Sequence, residues 1–168
     1  FDFAKIAITN SQGDIEALLN MGDVISHRGP DAHGEYLDDK VGLCHRRLSI
    51  IDLSDASNQP MLSDDGKYVI VFNGEIFNYI ELKSELKKKG YSFSTTSDTE
   101  VLVQLYTEYG RNCLEKLNGQ FAFAIWDKQK QELFMARDRV GIRPLFYHYE
   151  NDQLTFGSEI KSIFENPA

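Results

Sequence analysis

The chain has 168 residues, room for one domain and not for a second of ordinary size. With 18 Lys plus Arg against 26 Asp plus Glu the net charge is −8, and without a Lys/Arg cluster this argues against nucleic acid or anionic membrane as a partner. A composition 42% hydrophobic and 12% aromatic supplies a large core and excludes general disorder.

Phe3 to Ile8 reads as a short strand before a polar turn at Asn10-Ser11-Gln12-Gly13. From Asp14 to Ile25, the residues Ile15, Leu18, Leu19, Gly22 and Ile25 form one stripe, the spacing of an amphipathic helix. Gly29-Pro30 forces a turn after His27-Arg28, and Val41 to Ile51 mixes strand formers with the cluster Cys44-His45-Arg46-Arg47. A polar loop through Gln59-Pro60-Met61 leads to an apolar strand, Tyr68 to Phe72, which is expected to stop at Asn73-Gly74. Tyr79, Leu82 and Leu86 mark a helix closed by Lys87-Lys88-Lys89-Gly90, with cations near its negative pole. Ser97-Asp98-Thr99-Glu100 fits a capping box, and Val101, Leu102, Leu105, Tyr106 and Tyr109 supply the next stripe. Strands follow at Gln120 to Trp126, Leu133 to Ala136, Leu145 to Tyr149 and Leu154 to Phe156. The first of these is apolar on both faces, so both must be covered. The expected class is α+β: a four-layer αββα sandwich of two mainly antiparallel sheets flanked by helices.

Two strand ends carry candidate chemistry. In Cys44-His45-Arg46-Arg47, adjacent arginines on a strand point to opposite faces, so one of them must meet an anion or lose its hydration uncompensated. Arg47 either clamps the carboxylate of a small molecule with two parallel hydrogen bonds or pairs internally with Asp52 or Asp31. At Val71-Phe72-Asn73-Gly74-Glu75, a buried strand ends in a side-chain amide and a residue without Cβ. The Asn73 amide and Gly74 N–H are two neutral donors, the equipment of an oxyanion hole. A plain Asn-Gly hairpin turn is the alternative, weakened because a helix follows instead of a strand. Asp98 is either only a cap residue or a receiver for a substrate ammonium. An Arg for carboxylate and an Asp for ammonium together suit a free α-amino acid.

Other features read as structural. Cys44 and Cys113 sit in apolar contexts as buried thiols, and two cysteines are too few for a disulfide scaffold or a four-thiolate metal site. The four histidines show no metal-ligand spacing, so no metal is expected, and no Gly-containing segment has phosphate-loop spacing, so ATP is not expected to bind here. Arg137-Asp138-Arg139 with Gly141 and Pro144 is expected to be a charged corner with a packing role. No bilayer-length apolar run and no secretory signal occur, which makes the cytoplasm the default compartment. The start at Phe1 without Met and the end at Pro167-Ala168 read as cut ends.

These segments resemble a known family. His27-Arg28-Gly29-Pro30-Asp31, the stretch from His45 to Asp52, Gln59-Pro60-Met61, Phe72-Asn73-Gly74-Glu75-Ile76-Phe77-Asn78 and Ser97-Asp98-Thr99-Glu100 occur in this order. Leu117 to Phe123, Arg137 to Leu145 and Gly157-Ser158-Glu159-Ile160-Lys161 continue it. Together they are similar to the N-terminal glutaminase domain of glutamine-hydrolysing asparagine synthetase, a class II glutamine amidotransferase of N-terminal-nucleophile hydrolase fold. The resemblance implies that residues 1–168 form a glutaminase domain hydrolysing L-glutamine to glutamate and ammonia. It implies that Arg47 holds the glutamine α-carboxylate with Leu48, Ile50 and Ile51 as pocket wall, that Asn73 and Gly74 form the oxyanion hole, and that Glu75 and Asp98 receive the α-ammonium. Arg143, where relatives often carry Lys, keeps the charge. No cofactor is implied in this domain. ATP and magnesium are expected in a synthetase domain beyond Ala168, which would amidate aspartate. The implied partners are L-glutamine and that domain, with a homodimer as a further candidate assembly.

The large departure is at the start. The family's nucleophile is an N-terminal cysteine whose own α-amino group is the general base, and residue 1 here is Phe. Cys44 cannot replace it, because its nitrogen lies in a peptide bond. Two explanations stand: the cysteine precedes Phe1 and the N-terminus is truncated, leaving residues 1–168 inactive by themselves, or the domain is a non-catalytic structural or regulatory unit of a synthetase. The missing initiator Met and the complete set of binding residues favour the first.

Overall fold

The computed structural model describes residues 3–7, 15–48 and 55–166. Its elements are β1 (Phe3–Ala7), α1 (Ile15–Asp23), β2 (Ala32–Leu37), β3 (Gly42–Arg47), β4 (Met61–Leu62), β5 (Tyr68–Ile76), α2 (Tyr79–Lys88) and α3 (Asp98–Tyr109). β6 (Gly119–Asp127), β7 (Glu132–Arg137), β8 (Phe146–Glu150), β9 (Gln153–Gly157) and α4 (Ile160–Ile163) complete them. The strands sort into a five-stranded sheet, β2-β3-β1-β9-β8, and a four-stranded sheet, β4-β5-β6-β7. Every described pairing is antiparallel. Helices α1 and α4 cover the first sheet, α2 and α3 cover the second, and β5 meets β1 and β3 across the gap between the sheets. This is the αββα sandwich expected from the sequence. Among the described residues, no helix is long and apolar enough to cross a membrane.

The two-faced strands dictate the layering. Ile70 and Phe72 of β5, with Phe121, Phe123 and Ile125 of β6, share one core with Leu82 and Leu86 of α2 and with Val101, Leu102 and Leu105 of α3. The opposite faces of the same strands, Val69, Val71, Ala124 and Trp126, meet Val41, Leu43 and Phe156 between the sheets. At about 1.5–3 kcal/mol for each large apolar side chain removed from water, burial on both faces dominates the assembly. A smaller cluster joins Leu18 and Met21 of α1 to Cys44 of β3.

Two expectations need correction, and two further features have no expectation attached. β5 does not stop at Asn73-Gly74 but runs on to Ile76, because β6 continues beside it from Asn73↔Ala122 to Ile76↔Gly119. The stretch from β6 to β9 pairs antiparallel, as its strand–turn–strand pattern implies. It forms two hairpins in different sheets, and the corner between β7 and β8 crosses from one to the other. The helix near the N-terminus is rotated slightly from the expected stripe: Leu18, Gly22 and Ile25 are buried as expected and are joined by Ala17 and Met21, whereas Ile15 and Leu19 are exposed. Its partner is the Cys44 side of β3, which draws in Leu18 and Met21. Strand β2 carries no clear signal in the sequence, since His33, Gly34 and Glu35 disguise a regular alternation of half-buried and exposed positions.

Candidate active site

The expected oxyanion residues lie on β5 just past the point where one edge of the strand loses its partner. β4 pairs only with Val69 and Ile70. Beyond it, side chains take over the work of a neighbouring strand. The Phe72 N–H donates to Gln59 Oε1 at 2.6 Å, and the Ile76 N–H donates to Asp98 Oδ2 at 3.0 Å. In an antiparallel strand, alternate residues direct their backbone groups to the same edge. The Gly74 N–H therefore emerges between these two bonds, on the edge that no described strand covers. Gly74 has φ 154°, and a Cβ there would lie 2.7 Å from Phe121 Cα while overlapping the Gln120 carbonyl. Only glycine suits the position.

The side chain of Asn73 points the other way from Phe72, into the space between the sheets. It is 1% exposed, and neither Nδ2 nor Oδ1 has a hydrogen-bond partner among the described residues. A small cavity of about 10 Å³ lies beside it, lined also by Val71, Ala124, Pro144, Phe156 and Ser158. A buried amide left without partners costs about 1–3 kcal/mol, so its retention points to a use other than folding.

The two arginines of β3 do separate to opposite faces. Arg46 lies on the α1 side, donating to the Gly22 carbonyl at 3.3 Å and pairing with Asp23. Arg47 is buried, and its Nη1 donates to Asn58 Oδ1 at 2.7 Å. The Asp31 N–H donates to the Arg47 carbonyl at 3.0 Å, a backbone link between the two segments. Leu48 is half-buried just beyond β3. Ile50, Ile51 and Asp52 lie outside the described residues.

Asp98 is buried and Glu75 is exposed. The capping box is only half realised. Ser97 Oγ accepts from the Thr99 N–H at 3.1 Å, but the Ser97 N–H donates to Thr95 Oγ1 at 3.1 Å, where a full box would use Glu100. Glu100 instead accepts from the N–H and hydroxyl groups of both Ser94 and Thr95. Burial pushes the Glu100 carboxyl up, and these bonds outweigh it, leaving the group below its ordinary value. Asp98, next to the cap, braces β5.

Neither cysteine is placed as a nucleophile. Cys44 Sγ contacts the Leu18 carbonyl at 3.5 Å beneath α1, and burial pushes the Cys113 thiol up to about 12. Two residues that sequence reasoning passed over stand close to the expected ones: Asn58 on Arg47 and Gln59 on Phe72. A third is His45, on the same face of β3 as Arg47. It is 1% exposed with no hydrogen-bond partner on either ring nitrogen among the described residues. Burial is the main cause that drives its pKa down to about 3; the Phe72 backbone opposes this and the Arg47 charge adds to it.

The glutamine amidotransferase domain family matches residues 4–168. The chain belongs to that family. An asparagine synthetase [glutamine-hydrolyzing] of Bacillus subtilis is 48% identical over 161 residues, covering 96% of this chain and 25% of the relative. A second B. subtilis asparagine synthetase is 50% identical over 150 residues, covering 89% of this chain and 20% of the relative. The amidotransferase domain thus spans about a quarter or less of the length of these relatives. A solved B. subtilis glutamine phosphoribosylpyrophosphate amidotransferase shares the fold, with a TM-score of 0.80 at 23% identity over 96% of this chain and 43% of that one.

Proposed function

We propose that this amidotransferase domain hydrolyses L-glutamine to glutamate and ammonia, and that the ammonia serves a synthetase domain of the same polypeptide that amidates aspartate at the expense of ATP. The observation that carries the proposal is the buried amide of Asn73, without a hydrogen-bond partner among the described residues, next to the backbone of Gly74. Arg47 would hold the substrate carboxylate, Leu48, Ile50 and Ile51 its flank, and Asp98 with Glu75 its ammonium. The similarity to glutamine-hydrolysing asparagine synthetases supports both the substrate and the acceptor.

The nucleophile is proposed to be a cysteine at the N-terminus ahead of Phe1. Its α-amino group takes the thiol proton as sulfur bonds to the amide carbon, and the carbonyl electrons move onto oxygen, facing the Asn73 amide and the Gly74 N–H. Collapse breaks the C–N bond, and the nitrogen leaves as ammonia with the transferred proton. Water then cleaves the thioester, giving glutamate and the regenerated thiol. ATP, with magnesium, would act in the synthetase domain.

The test is Asn73→Ala in a cysteine-bearing form of the protein. Turnover is expected to fall by ~10² to 10³, the effect of losing one oxyanion donor, while glutamine affinity measured by calorimetry stays close to that of the parent. Near-normal turnover would refute the role of Asn73. Absence of glutamine binding in the parent would favour a purely structural domain.

A further inference from the structure

From the bonds at positions 58 and 59 we infer that Asn58 and Gln59 are positioning residues that set the two halves of the glutamine site independently, Asn58 through Arg47 and Gln59 through the Gly74 edge of β5. The inference rests on the function proposed above.

Gln59 is 4% exposed although it follows a polar loop. Its Oε1 accepts from the Phe72 N–H at 2.6 Å, and its Nε2 donates to Thr99 Oγ1 at 3.1 Å. One side chain thereby joins β5 to the first turn of α3. Its backbone is wedged as well: a Cβ on Gly34 of β2 would lie 3.2 Å from the Gln59 carbonyl carbon and would overlap its oxygen. Gln59 therefore spans both sheets and a helix. Together with Asp98 on Ile76, it brackets Gly74 and leaves that N–H directed outward at a fixed place.

Asn58 points to the other half. Its Oδ1 accepts from Arg47 Nη1 at 2.7 Å, which ties the guanidinium to the loop that carries Gln59. Two neighbouring residues thus serve opposite ends of one substrate: the ground-state clamp and the donor needed only in the transition state.

The kinetic signatures should therefore divide. In the cysteine-bearing full-length protein, Asn58→Ala should raise the glutamine KM on the order of 10-fold with kcat nearly unchanged, whereas Gln59→Leu should lower kcat on the order of 10- to 100-fold with KM nearly unchanged. Gln59→Glu, whose carboxylate can accept from both the Phe72 N–H and the Thr99 hydroxyl, should restore much of kcat. Equal changes of KM and kcat in both variants, or failure of the Glu variant to exceed the Leu variant, would overturn the inference. Amide hydrogen exchange separates this failure from that of the proposed reaction. Loss of protection at Phe72 in Gln59→Leu, with Val69 and Val71 unaffected, supports the bracket whatever the turnover, and unchanged protection at Phe72 overturns it. A parent protein without glutaminase activity would refute the proposed function instead.

Discussion

Asn73 on β5 and Asp138 at the end of β7 are both shielded from solvent, and they meet their hydrogen-bonding needs in opposite ways. The Asp138 carboxylate accepts from the N–H groups of Phe121, Val140, Ile142 and Arg143, at 2.9–3.2 Å. Burial raises its pKa, but these amides outweigh burial and hold it below its ordinary value. Arg137 closes the same corner from outside through the carbonyls of Gly141 and Arg143. The chain wraps around its own acid there, and the corner that transfers the chain between sheets is held shut. Asn73 has no such wrapping among the described residues. A buried polar group that is satisfied is part of the scaffold, whereas one left open is a place prepared for something else.

Exchanging the two losses breaks the comparison most sharply. Beside the turnover loss expected for Asn73→Ala, that variant should change unfolding free energy by no more than about 1 kcal/mol in urea titration, since its amide makes no hydrogen bond to a described residue. Asp138→Ala should lower stability by about 3 kcal/mol, because it strands several buried N–H groups at once. If Asn73→Ala proved the more destabilising of the two, the distinction between scaffold and site would collapse.

His45 offers an intermediate case, buried like Asp138 and touched only weakly, by the Phe72 backbone, among the described residues. Its folded pKa of about 3 lies below the ordinary value of 6.5, so the native imidazole stays neutral while the unfolded chain takes up a proton. The unfolded state then binds more protons, and stability falls as pH drops below about 6.5, at about 1.4 kcal/mol per pH unit, or about 2 kcal/mol by pH 5. Asp138 and Glu100, with depressed values, lose their contributions only at lower pH, as it falls through and below the ordinary carboxylate range. His45→Asn should therefore flatten the stability profile between about pH 6.5 and 5 and leave the steeper acid limb in place. An unchanged slope in that window would mean that His45 is not the group protonated on unfolding.

What could be read from the sequence followed the range of the interactions. The αββα layering was legible because Phe121, Phe123 and Ile125 alternate with Ala122, Ala124 and Trp126, which forces cover on both faces. Asn73 and Gly74 stood out because a run of apolar residues ends there without a hairpin to follow. Asn58 and Gln59 did not, since their partners lie 11 to 40 residues away and nothing in a polar loop marks a buried amide. The rotation of α1 was equally hidden, because the deciding contact, Cys44, belongs to another element. Local patterns mark the candidate residues; the bonds that tie them to the rest of the fold are tertiary.

The smallest expected effect concerns the start of α3, where a local motif and a tertiary demand compete for one acid. Ser97 caps the helix through the Thr99 N–H, so Ser97→Ala should cost about 1 kcal/mol. In a full capping box Glu100 would bond back to the Ser97 N–H, and the two side chains would be energetically coupled. Here that N–H is taken by Thr95 Oγ1, and Glu100 is committed to Ser94 and Thr95. In a double-mutant cycle with Glu100→Gln the two losses should add to within about 0.5 kcal/mol, because the cap hydroxyl and the carboxylate act on different backbone groups. A clearly larger coupling would restore the box and release Glu100 from the turn it is seen to hold.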